Sequence, residues 1–226
     1  MHMDKKEEGL SSFGLSLIAV ASMTVDHIAA VFVTDATLYF AMRAVGRLAF
    51  MIFAFIISQS VQKSSSIKRF CMRLLIFAVI SEPIFDLAFY GRLFFSWHQN
   101  IFFTLLAGVI CCAAMKRGKA VSAVAVAAAV IIAELLCFDY GGAGVLLIIA
   151  FNLLGKNYAT LIGAVVSASF IANGDAAFEL FMIAAAPLIK LYNGKRGGLS
   201  VPLFRKWFFY LYYPTHLLII YIFSTV

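Results

Sequence analysis

Charge is what this sequence has least of. Only 13% of its 226 residues are charged while 63% are hydrophobic, and no long hydrophilic stretch interrupts the apolar runs between Gly14 and Val226. A soluble globular domain carries charge on about a quarter of its residues, so this composition excludes one and requires lipid as its solvent. With no room for a separate soluble part, residues 1–226 read as a single membrane domain. The four cysteines, Cys71, Cys111, Cys112 and Cys137, all lie in or at the edge of apolar runs, which argues against a disulfide framework. Internal repeats, heptads and low-complexity tracts are absent. So is any His-Glu-x-x-His or comparable spacing, and no metal is expected.

The net charge of +7 does not point to nucleic acid, because Lys and Arg fall in small groups between apolar runs instead of along one basic face. Ala19-Val20-Ala21 loosely mimics a signal-peptidase site. The apolar stretch continues past it and Glu7 and Glu8 interrupt the basic start, so the segment is expected to stay. Measured against the ~20 residues that cross a bilayer, spans are predicted near 14–34, 40–62, 68–90, 98–115, 119–138, 142–154, 158–171, 176–192 and 205–224. The fold class is thus all-α, a polytopic transmembrane bundle of about nine spans. That number drops to seven if the short runs within 142–171 form a re-entrant hairpin.

Placing the N-terminus in the cytoplasm leaves only Arg43, Arg47 and Arg92, of 18 Lys and Arg, for the far side. The expected orientation is therefore N-in and C-out, in the cell membrane, with residues 193–204 as a flexible cytoplasmic loop.

Ionisable groups within spans are costly unless paired or facing a polar cavity, and here they share a depth. His27 and Asp26 on the first span, Arg47 and Arg43 on the second, Glu82 and Asp86 on the third and His216 on the last all fall within ~12 Å of the outer ends. Trp97-His98-Gln99-Asn100, Glu134, Asp139, Asp175 and Glu179 lie around that level. Arg43 and Arg47 share a helix face, as do Glu82 and Asp86, which predicts the pairs Arg47–Glu82 and Arg43–Asp86. Those pairs either serve the site or only fix helix register. Pro83 is expected to kink the third span and free a carbonyl. Buried neutral histidine is suited to accept and return a proton, which selects His27. Asp26 points ~100° away from it, so an acid from another helix is expected to hold the imidazole.

Thr24-Val25-Asp26-His27-Ile28, Arg43-Ala44-Val45-Gly46-Arg47-Leu48-Ala49-Phe50 and Ser81-Glu82-Pro83-Ile84-Phe85-Asp86 resemble the TraX family. So do Gln99-Asn100-Ile101-Phe102-Phe103-Thr104-Leu105 and Tyr213-Pro214-Thr215-His216-Leu217. Met51 departs from the family pattern, which has proline there. The family is associated with N-acetylation of a conjugative pilin subunit. It is distantly similar to membrane acyltransferases that carry an acyl group from cytoplasmic acyl-CoA to an acceptor on the far side, using a membrane-embedded histidine. The resemblance implies that role for His27 and connects Arg43, Arg47 and His216 to it.

Residues and resemblance together give an expected acetyltransferase. Its candidate catalytic group is His27, Asp26, Arg47 and Glu82, and its candidate substrate contacts are Arg43, Asp86, His98, Gln99, Asn100 and His216. Arg47, or Asn100 with Gln99, would donate to the developing oxyanion. Acetyl-CoA or another acyl-CoA is the cosubstrate, its phosphates held by Lys68, Arg69, Lys116, Arg117 and Lys119. The acceptor is an extracytoplasmic amine or hydroxyl: a protein N-terminus, peptide, small amine or glycan. Direct transfer and an acyl-histidine intermediate are both open. The alternative is a proton-coupled transporter, which shares the buried charges but usually shows repeats about the midplane.

Overall fold

The structure, a computed structural model, describes residues 9–172, 177–197 and 202–225. Lys5, Lys6, Glu7, Glu8, Asp175 and Val226 lie outside them, as do residues 198–201 of the expected loop. Nine α-helices are described: α1 (Ser12–Phe32), α2 (Ala36–Lys63), α3 (Ile67–Tyr90), α4 (Ile101–Ala114), α5 (Lys119–Leu135), α6 (Gly141–Leu154), α7 (Ala159–Ala172), α8 (Ala185–Lys190) and α9 (Pro202–Ser224). No strand occurs among the described residues, so the all-α expectation holds. Of these helices, α1 and α2 are long and apolar enough to cross a membrane.

Short polar side chains start the first four helices by taking up backbone amides left over at a helix N-terminus. Ser11 accepts from Gly14, Asp35 from Leu38, Ser66 from Arg69 and Asn100 from Phe102. Gly91 ends α3 at φ 63°, a left-handed turn that suits glycine. One expectation fails: residues 176–192 are not one helix. An eight-residue 3₁₀ segment, Ala177–Ala184, precedes the six-residue α8. Pro83 and Met51 both sit inside continuous helices.

The chain ends of the helices gather at two poles. At one, the amides of Ser12 and Phe13 donate to the carbonyls of Lys195 and Arg196 at 2.9 and 3.0 Å. Lys63 Nζ donates to Gly194 at 2.8 Å, and Lys156 Nζ to Lys190 at 3.2 Å. At the other, Gln99 and Asp139 exchange backbone bonds with Cys137 and Gln99 at 2.8 and 2.9 Å. Thus α6 runs from the Asp139 pole to the Lys156 pole, through the bundle's depth. The core between them is apolar, with Phe55 packed edge-on against Phe151 and Leu147, Ile148 and Met51 fully buried.

Candidate functional site

Near the Asp139 pole α1 and α2 approach closely because Gly46 has no side chain. A Cβ there would overlap the carboxylate of Asp26. That gap seats Asp26 between two arginines: Arg43 Nη1 donates to its Oδ2 and Arg47 Nη2 to its Oδ1, both at 2.6 Å. Arg47 Nη1 also reaches Glu179 Oε1 at 2.8 Å. Among the described residues two guanidinium groups meet two carboxylates here, and such pairing is how ionised side chains become tolerable away from water. The expected pairs Arg47–Glu82 and Arg43–Asp86 are therefore wrong. The arginine face of α2 turns toward α1 and the 3₁₀ segment instead of α3.

His27 lies one position on from Asp26 and faces α9. Its Nδ1 is 2.7 Å from Nε2 of His216, and His216 Nδ1 is 2.9 Å from the carbonyl of Tyr212. A carbonyl only accepts, so His216 Nδ1 carries a proton. In the neutral ring its Nε2 then accepts from His27 Nδ1–H, and the proton-free nitrogen of His27 is Nε2. The holder of His27 is thus a histidine from another helix and not the expected acid. Tyr212 also bonds Thr24 through its hydroxyl at 2.8 Å. Both contacts ascend together along the two chains, so α1 and α9 run in the same direction there.

Glu82 and Asp86 organise the turn before α4. Glu82 Oε2 accepts from the Asn100 amide at 3.0 Å and from Asn100 Nδ2, which also donates to the Ala78 carbonyl at 2.8 Å. The carbonyl engaged is thus Ala78, one residue before the Val79 carbonyl that Pro83 leaves without an amide. Asp86 Oδ2 accepts from the Phe95 amide at 2.7 Å. Asn100 is fully buried with its side-chain donors committed, Gln99 Nε2 reaches the Phe95 carbonyl at 3.5 Å, and neither of these expected oxyanion donors lines the cavity beside His27. His98, in the loop before α4, bonds the Tyr90 hydroxyl through Nδ1 and lies 3.4 Å from Asp139 Oδ1 through Nε2. Burial disfavours the charged form of His98. The Asp139 carboxylate, with Glu82 and Asp86 behind it, outweighs that and raises its pKa above the ordinary histidine value.

A cavity of about 710 Å³ joins these groups. His27, Asp26, Arg43 and Arg47 line it, as do Tyr90, His98 and Asp139. It follows α2 from Arg43 to Ser64, ~30 Å of helix. Its far end is lined by Lys63, Arg73 and Arg196. The expected phosphate-binding residues Lys68, Arg69, Lys116, Arg117 and Lys119 are exposed, and none lines this cavity. Glu82, Asp86, Asn100 and His216 stand behind its wall. Sequence reasoning missed Lys63, Arg73, Arg196 and Tyr140 as lining groups, together with Tyr90. It also missed the Tyr212 carbonyl, although the four-residue step from Tyr212 to His216 was a readable signal. Among the described residues no cluster of three or more His, Cys, Asp or Glu is placed to hold a metal ion.

The family described as TraX protein matches residues 13–224. A probable fimbrial assembly protein FimC, serogroup H1, of Dichelobacter nodosus is 28% identical over 233 residues, covering 92% of this chain and 93% of that protein. No solved structure matches.

Proposed function

The chain belongs to the TraX family, and on that premise we propose that it is a multi-pass membrane acetyltransferase with His27 as general base. The acetyl group comes from cytoplasmic acetyl-CoA and goes to an amine on an extracytoplasmic acceptor, a fimbrial or pilin subunit being the candidate that the relative's name supports. One observation carries the reading. The His27–His216–Tyr212 chain leaves His27 Nε2 as the proton acceptor, at one end of a cavity whose other end carries Lys63, Arg73 and Arg196.

The cavity's run of ~30 Å equals the hydrocarbon thickness of a bilayer. A donor whose phosphates stay at the cationic mouth can therefore present its thioester on the His27 side through a long thin arm. That assigns the phosphate grip to Lys63, Arg73 and Arg196. Gathering of Lys63, Lys156, Lys190, Lys195 and Arg196 at one pole supports that pole as cytoplasmic. It also supports the orientation N-in and C-out.

In the transfer step His27 Nε2 takes the proton that the attacking amine loses as its nitrogen bonds the thioester carbonyl carbon. The C–S bond then breaks, and the leaving thiolate takes that proton from His27 Nε2. His216 holds the ring with Nε2 turned to the cavity, and the Arg43 and Arg47 side of the wall stabilises the developing oxyanion. The test is turnover of [acetyl-¹⁴C]CoA by the purified protein in nanodiscs with a primary amine acceptor. Label transfer to the amine is expected. Absence of any enzyme-dependent transfer would overturn the reading.

A further inference from the structure

An amine that reaches the Asp139 pole from water meets a difficulty that His27 alone does not solve. An α-amine has a pKa of about 8 and is mostly an ammonium ion at neutral pH, so it must lose one proton to become a nucleophile and another as it attacks. Beyond the outer loop it would pass the aromatic pair Phe85 and Phe89, 5.0 Å apart, which separates His98 from His27. Phe85 stands 5.2 Å from His98, and Phe89 stands 5.2 Å from His27. Past them lie the guanidinium groups of Arg43 and Arg47. Desolvation against the rings opposes a cation there, and the Asp26 and Glu179 carboxylates ahead are already paired with arginines.

We propose that Tyr90, His98 and Asp139 form an ammonium-binding and deprotonation port, which admits the acceptor as a neutral amine before His27 acts. All three line the cavity that His27 lines. They form a hydrogen-bonded chain, Tyr90 hydroxyl to His98 Nδ1 and His98 Nε2–H to Asp139 Oδ1. His98 and Asp139 keep 37% and 28% of their side chains exposed, so the chain is reachable. Behind it Asp86 is 1% exposed, and its buried Oδ1 has no hydrogen-bond partner, nor has Oε1 of Glu82. The carboxylates facing His98 are thus Glu82 and Asp86 from α3 and Asp139 from the turn before α6. This local excess of negative charge attracts a cation.

The step balances. The ammonium N–H passes its proton to the Tyr90 oxygen as the Tyr90 O–H proton moves to His98 Nδ1. The products are a neutral amine, an unchanged tyrosine and an imidazolium held by Asp139, which returns its proton to the outer water.

This assignment rests on the acetyltransferase reading, and two nucleophiles separate the two. Glycinamide carries a peptide-like α-ammonium group, whereas hydroxylamine is a weaker base that arrives neutral. In nanodiscs Tyr90→Phe, which keeps the ring stacked on Phe95 at 3.9 Å, and His98→Gln should lower the ratio of glycinamide to hydroxylamine acetylation. The expected fall at neutral pH is about a hundredfold or more, within the usual range of about 10²–10⁴ for a lost proton transfer. The defect should shrink at about pH 9, where the α-amine is already neutral. A ratio equal to wild type in both variants, or a defect that does not shrink with pH, overturns the port. If the wild type acetylates neither nucleophile, the acetyltransferase reading itself falls and takes the port with it.

Discussion

His27 Nδ1 and His216 Nε2 lie 2.7 Å apart across the contact of α1 with α9, and the Tyr212 carbonyl fixes the second ring at 2.9 Å. That carbonyl sets the tautomers of both rings. Replacing His216 with Phe keeps an aromatic ring and removes the acceptor for His27 Nδ1–H. The expected result is a fall in kcat of about ten- to a hundredfold, as when an orienting partner is lost, with KM for acetyl-CoA unchanged. Tyr212→Phe should have a much smaller effect, since His216 uses the backbone. Steady-state kinetics on the two variants checks both.

The network around Asp26 predicts how charge removal couples. Asp26→Asn takes the carboxylate from the buried guanidinium of Arg47 and the partly buried one of Arg43 and should cost about 3–5 kcal/mol. Asp26→Ala with Arg47→Ala should cost less than the two single changes added, whereas Arg47→Ala with Glu82→Ala should be additive. Gly46→Ala should destabilise as well, through overlap with Asp26. Thermal unfolding in detergent reads all four comparisons. Additivity at Asp26 and Arg47 would show that the pair does not interact.

At the cationic mouth, Arg73→Ala and Lys63→Ala should raise KM for acetyl-CoA several-fold with little change in kcat, the signature of lost uniform binding. Lys116→Ala with Lys119→Ala should leave KM near wild type. The reverse pattern would return the phosphate grip to the exposed basic groups.

Orientation is open to cysteine labelling in intact cells. Position 195 should resist an impermeant thiol reagent, and position 94, where Phe94 is 82% exposed, should react. Efficient labelling at 195 contradicts the N-in orientation.

Much of the helix order was legible in the sequence, because apolar runs and the polar residues between them fix where a helix starts and stops. The helix starts at Ser12, Ala36, Ile67, Lys119 and Gly141 fall within four residues of the predicted spans. The common level of His27, Arg47 and His216 in the bundle was legible for the same reason: a fixed rise per residue places them near one another along it. Direction around each helix was not, since it depends on which neighbour packs where. Gly46 decided that Asp26 would meet Arg43 and Arg47, and Glu179 came to Arg47 from 132 positions away. Which basic residues line the cavity was not legible, because counting Lys and Arg reports the side of the membrane and says nothing of which residues face a cavity.

Acetyl transfer by purified His27→Ala protein is the most direct measurement. This variant, and His27→Gln, should bind acetyl-CoA with near wild-type affinity and lose transfer by about 10²–10⁴-fold, while His98→Ala should retain much more activity toward hydroxylamine. Turnover of acetyl-CoA to an acceptor by His27→Ala at near wild-type rate would contradict His27 as the general base.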